Sequence, residues 1–144
     1  MAKKKVFVSF DYDKDKYYEF LLKAWDANPY FEFSFSDMSS NEINTDNISR
    51  VKAGLTTKIR QATYTLVIIG EDANKCHKDY MEIGYKNWQN FEIARSVDYG
   101  NKLVGVKINS NYAAPEEMLG HGATWALSFT QDAIIQALID AAKK

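Results

Sequence analysis

Residues 63–69 read TYTLVII and stop at Gly70, and toward its end this run is apolar at odd and even positions alike. A strand apolar on both faces has to be covered on both, the condition of a central strand in a parallel sheet. The covering helices are legible on either side of it. Residues 5–10 (KVFVSF) form a β-branched and aromatic run, after which Tyr17, Phe20, Leu21, Ala24 and Trp25 recur at the three-and-four spacing of an amphipathic helix. Residues 31–36 (FEFSFS) alternate with period two, and Ile48, Val51, Leu55 and Ile59 return to helical spacing, with Thr45 or Asp46 as the cap. A long helical pattern spans 80–99 and closes on Gly100 as its C′ glycine; residues 103–108 (LVGVKI) then read as a strand. Residues 109–124 read as a loop and 125–129 as a last strand, and Thr130 caps a helix striped by Ile134, Ile135, Leu138 and Ile139.

Strand and helix thus alternate five times. Helical crossovers between parallel strands are right-handed, so the expected fold is α/β, flavodoxin-like: an open doubly wound parallel five-stranded sheet with helices on both faces. Its functional crevice lies at the carboxyl ends of the strands, here residues 9–11, 36–46, 70–79 and 109–114. A chain of 144 residues, 46% hydrophobic and 14% aromatic, has the length and the core material of one domain, 1–144.

Eighteen Lys and Arg against nineteen Asp and Glu give a net charge of −1, so no global positive field attracts nucleic acid or an anionic membrane. The longest apolar run, Leu66 to Ile69, is far short of a bilayer span, and Lys3 to Lys5 run into a strand pattern with no signal-peptide core. A single cysteine, Cys76, cannot close an internal disulfide, and the expected location is the cytoplasm. Cys76 and His77 are neighbours and His121 stands among glycines, a set short of the ligands a metal site requires, so no metal is expected. Neither GxGxxG nor GxxxxGK[ST] occurs. A phospho-receiver pattern fails as well, since the third strand runs into Gly70 and Glu71 and no Lys stands directly after Phe129 at the end of the fifth.

The informative stretch is Asn87-Trp88-Gln89-Asn90-Phe91-Glu92-Ile93. Trp88 and Glu92 are four apart and share a helix face, with Phe91, Ala94 and Val97 placed to bury the neighbouring one. An indole beside the carboxylate would partly desolvate it, raising its pKa and strengthening its hold on developing positive charge. The same spacing equally describes a boundary helix with a surface Glu and a half-buried Trp.

The opening Val6-Phe7-Val8-Ser9-Phe10 resembles the first-strand motif of Toll/interleukin-1 receptor (TIR) domains, and Trp88-x-x-x-Glu92 resembles the segment that carries the catalytic glutamate of TIR enzymes. Residues 88–109 (WQNFEIARSVDYGNKLVGVKIN) are similar to the stand-alone bacterial TIR-like proteins of the Thoeris anti-phage system, with the aromatic-Glu-Ile step, the Gly-Asn-Lys turn and the strand ending in Ile-Asn. The loop from Asp37 lacks the Arg-Asp-Pro-Gly character of receptor TIR domains, and no Phe-Trp box precedes the last helix, so a receptor-adaptor scaffold fits poorly.

The resemblance implies an NAD⁺ nucleosidase or ADP-ribosyl cyclase, with NAD⁺ as substrate and no cofactor. Glu92 would be the catalytic carboxylate, and Ser9, Phe10, Asp11, Tyr12, Ser36, Asp37 and Trp88 would contact substrate or wall its pocket. It further implies self-association through the loop from Asp37 to Asp46 and a cyclic or otherwise modified ADP-ribose read by a separate effector protein. The alternative from another class is a non-catalytic TIR-like interaction module.

Overall fold

All six residues of Tyr64–Ile69 are buried, as side chains apolar on both faces require. The computed structural model describes residues 3–28, 31–36 and 47–144, with the backbone alone at 12, 13 and 36. The elements are β1 (Lys4–Ser9), α1 (Tyr12–Asp26), β2 (Phe33–Ser36), α2 (Ile48–Arg60), β3 (Tyr64–Ile69), α3 (Tyr80–Ile83), α4 (Trp88–Asp98), β4 (Lys102–Lys107), β5 (Thr124–Ala126) and α5 (Gln131–Ala142). The five strands lie in the order β2-β1-β3-β4-β5, and every pair is parallel. Chain order reverses between β1 and β3, and the crevice of a doubly wound sheet opens at that point, beyond the strand carboxyl ends.

Strand side chains alternate between faces, and the core divides accordingly. Val6, Val8, Phe33, Phe35, Leu66, Ile68, Val104 and Val106 face one way, under Leu22 of α1 and Ile134, Ala137, Leu138 and Ala141 of α5. Phe7 faces the other way, against Val51, Leu55 and Ile59 of α2, Ile83 of α3 and Phe91 of α4. Val67, Ile69 and Leu103 also face that way and meet Ile93 of α4 and Met118. No described helix is long and apolar enough to cross a membrane.

Four local expectations are corrected. The helical pattern over 80–99 is two helices: Gly84 adopts φ 87° and closes α3 with its N–H on the Tyr80 carbonyl, and Asn87 starts α4 by accepting from the Asn90 N–H. A left-handed glycine followed by an N-cap side chain satisfies the backbone groups that a continuous helix would have paired. Asn47, not Thr45 or Asp46, caps α2, its side chain accepting from the Arg50 N–H. Strand β5 is three residues long, ending at Ala126, while Thr130 caps α5 as its sequence suggests. The fourth concerns the phase of α1. Tyr17 and Phe20 are exposed, at 65% and 66%, whereas Leu22 and Asp15 are buried, so the packed stripe runs through Asp15, Tyr18, Leu22 and Trp25 rather than through Tyr17, Phe20 and Leu21.

Leu22→Ala should therefore destabilise the chain by about 2–5 kcal/mol, and Phe20→Ala by less than about 1 kcal/mol. Urea unfolding of the two variants checks the phase; equal losses would restore the other stripe.

Candidate functional site

Position 9 is the last of β1, and alternation along the strand turns its side chain toward the α2–α4 side of the sheet. Ser9 is fully buried there, where an unsatisfied hydroxyl costs about 1–3 kcal/mol. Its Oγ donates to Oε1 of Glu92 at 2.7 Å. Glu92 is 4% exposed, so it is a buried carboxylate held by a hydroxyl rather than a surface glutamate on a boundary helix.

Glu92 belongs to a polar rail on α4. Gln89, Glu92 and Ser96 recur at the three-and-four spacing that faces a sheet, and all three are buried. The Gln89 Nε2 donates to the carbonyls of Ser9 at 3.2 Å and Ile68 at 2.8 Å, bridging β1 and β3 where the sheet reverses its order. The Ser96 hydroxyl donates to the Glu92 carbonyl at 2.8 Å and shares a 2.7 Å hydrogen bond with the hydroxyl of Thr65 in β3. Asn101 Nδ2 adds a donor to Thr65 Oγ1 at 3.2 Å.

The start of α4 is tied to the loops around it by asparagines. Asn87 caps the helix and donates its amide to the carbonyls of Ala73 at 2.9 Å and Lys75 at 3.0 Å. Asn90, fully buried, accepts from the Glu117 N–H at 3.1 Å. Asn74 donates to the Ala114 carbonyl at 2.8 Å and accepts from the Glu116 N–H at 2.9 Å. Two crevice loops are thereby clamped to the helix that carries Glu92. Sequence reasoning missed Gln89, Asn90 and Ser96; the Gln-x-x-Glu-x-x-x-Ser spacing was the available signal, hidden because a helix face is sought by its apolar residues.

The other expected site residues are placed as follows. Trp88 is half-buried, edge-on to Phe91 at 5.6 Å and to His77 at 6.4 Å between ring centroids, in the cluster with Phe7 and Val51. Phe10 is buried in the core on the opposite, α1–α5 side of the sheet. Asp11 is half-buried, its carbonyl accepting from the Asp15 N–H at 2.7 Å. Tyr12 opens α1, and Ser36 ends β2 in register with Phe7. Asp37 and the loop to Asp46 lie outside the described residues. Among the described residues no group of three or more His, Cys, Asp or Glu is arranged to hold a metal ion.

Residues 7–113, which include the end of β1, the polar rail and the loop after β3 that Asn87 holds, match the family described as "Thoeris protein ThsB, TIR-like domain". The chain belongs to this family. No curated protein matches it. Among solved structures it is similar to a prokaryotic SEFIR domain, with a TM-score of 0.54 and 15% identity over 98% of this chain and 97% of that one. It is also similar to a 2-desoxiribosyltransferase from Leishmania mexicana, with a TM-score of 0.59 and 9% identity over 95% of this chain and 97% of that one. At these identities the likeness concerns the fold, the same layered α/β architecture in each case.

Asn87→Ala removes a helix cap and two loop anchors together and should cost about 2–3 kcal/mol. Asn87→Asp keeps the cap oxygen and loses the amide donors, so it should recover about 1 kcal/mol of that in the same denaturation experiment.

Proposed function

We propose that this TIR-like protein cleaves NAD⁺ at the bond between nicotinamide and ribose, with Glu92 as the catalytic carboxylate. The observation that carries the reading is the buried Ser9–Glu92 hydrogen bond at the carboxyl end of β1, in a chain of the ThsB TIR-like family. The chemistry suits one carboxylate. The C1′–N bond breaks with its electron pair leaving on nicotinamide, which departs neutral, so no general acid is required. The demand is for a fixed negative charge against an oxocarbenium-like ribosyl cation, and a carboxylate in a water-poor site acts on that cation more strongly than one in bulk water. Ser9 fixes the direction of Glu92, and the rest of the rail fixes the height of α4 above the sheet.

The remaining cation is captured by water, giving linear ADP-ribose, or by an internal nucleophile of the adenine or ribose, giving a cyclic product. Cyclisation requires that water be kept away; Trp88, Tyr12 and the loop from Asp37 to Asp46 of a neighbouring copy are the walls we assign to that task. On this reading the protein works in the cytoplasm in anti-phage defence. It self-associates through that loop when triggered and makes a cyclic or otherwise modified ADP-ribose that a separate effector reads. The burial of Glu92 also favours a second reading, in which the carboxylate only locks α4 to β1 and the domain is a non-catalytic interaction module.

Incubation with NAD⁺ and chromatography of the products separates the two, run on dilute and on concentrated protein. Glu92→Gln, nearly isosteric, should lower turnover by at least about 100-fold, roughly 2.7 kcal/mol of transition-state stabilisation, with the fold retained. Retention of more than a tenth of wild-type turnover, a loss below about 1.4 kcal/mol, would remove Glu92 from the chemistry. Mass spectrometry of activated reactions should show a product other than linear ADP-ribose; linear product alone would reduce the function to NAD⁺ depletion.

A further inference from the structure

The proposed reaction makes no use of Asp15, yet this is the most unusual carboxyl group described. It lies on the first turn of α1 and is 6% exposed, and its Oδ2 is buried with no hydrogen-bond partner. Its carboxyl lies against Gly70, the residue that follows β3, so closely that a Cβ at position 70 would collide with it. The charged groups bearing on it are Asp11 from the turn after β1, Glu71 and Asp72 from the loop after β3, and Lys14 beside it on α1. Lys14 is directed elsewhere, to Glu71 at 3.4 Å and Asp72 at 3.6 Å. Among the described residues, three acids therefore bear on this buried carboxyl, and its cationic neighbour Lys14 is engaged by two of them.

We propose that Asp15 is a proton-operated switch between the first turn of α1 and the loop leaving β3: protonated, it lets the two stay packed together at Gly70; ionised, it drives them apart. A neutral carboxyl tolerates this surface, whereas a carboxylate there has its Oδ2 buried without a hydrogen-bond partner. Burial first, and then the charges of Asp11 and Asp72, raise its pKa from 3.8 to about 6, so it gives up its proton in mildly acidic solution, well above the ordinary aspartate range. The loop it packs against is the one that Asn87 holds by the Ala73 and Lys75 carbonyls, so separation at Gly70 loosens one wall of the crevice. None of this depends on NAD⁺ being the substrate.

The folded chain keeps the Asp15 proton up to about pH 6 and the unfolded chain up to about pH 3.8. Between those values the folded state binds more protons, so stability falls as pH rises, levelling off above the folded-state value. Relative to Asp15→Asn, the wild-type unfolding constant should rise by roughly tenfold to a hundredfold between pH 4 and 7, the lower figure allowing for solvent screening. Amide exchange at 70–73, corrected for its intrinsic pH dependence, should quicken over the same range in wild type and not in Asp15→Asn. Carboxyl-carbon NMR should place the Asp15 midpoint near 6 in the intact chain, and Gly70→Ala, by evicting the side chain to water, should return it toward the ordinary aspartate range near 3.9. A wild-type midpoint below about 4.5, within the ordinary aspartate range, would overturn the proposal, as would an Asp15→Asn variant whose stability follows wild type across the whole range.

Discussion

A strand buried on both faces leaves its side-chain hydroxyls no water to bond with, so each must find a polar partner from the layer above. Two hydroxyls occur in the central pair of strands on the side of α4, Ser9 in β1 and Thr65 in β3, and α4 supplies Glu92 for one and Ser96 for the other. Gln89 completes the rail by donating to the carbonyls of Ser9, the last residue of β1, and Ile68, the last but one of β3. The position of α4 is thus set by polar matching along its inner line, while Phe91 and Ile93 on either side of that line provide apolar contact.

This arrangement connects stability to the candidate chemistry. Net hydrogen bonds contribute only about 0.5–1.5 kcal/mol each, but an abandoned buried partner costs more, so the rail penalises displacement of α4 strongly. A carboxylate that must face a developing cation benefits from such rigidity, because its orientation is set before substrate arrives. The asparagine clamp extends the same rigidity outward, joining the loop after β3, the start of α4 and the loop after β4. Asp15 stands on the other side of the crevice as a counter-example: a buried polar atom with no match, at the seam where the chain reverses its order.

Much of the architecture was legible because parallel sheets write themselves into hydrophobic period. Residues 64–69 of the both-faced run, Phe31, Phe33 and Phe35 of the alternation at 31–36 and the Val51, Leu55, Ile59 stripe are buried in the structure. The break at Gly84 and Asn87 was present as a residue pair but was overridden by a helical spacing that continued through it. In α1 the error had a sharper cause: Tyr17 and Phe20 are large and apolar, and Asp15 is charged, so hydrophobicity assigned the wrong face. Only contact with Gly70, a residue more than fifty positions away with no side chain, shows that Asp15 is the one turned inward.

For the site, the spacing of Trp88-x-x-x-Glu92 put the two on one helix face and no more; it was the resemblance of that segment to TIR enzymes that made Glu92 the candidate carboxylate. Sequence by itself also placed Ser9 and Phe10 together at the end of the first strand, beside the crevice. What only the tertiary structure decided is that Ser9 and Glu92 meet, that Gln89 and Ser96 line up with them, and that Phe10 goes to the opposite core while Trp88 packs on Phe91 and His77. Ser9 and Glu92 are separated by eighty-three positions, and their pairing depends on which strands are neighbours and on the height at which α4 crosses them. Those quantities are set by the packing of the whole sheet, and no local pattern in the chain encodes them.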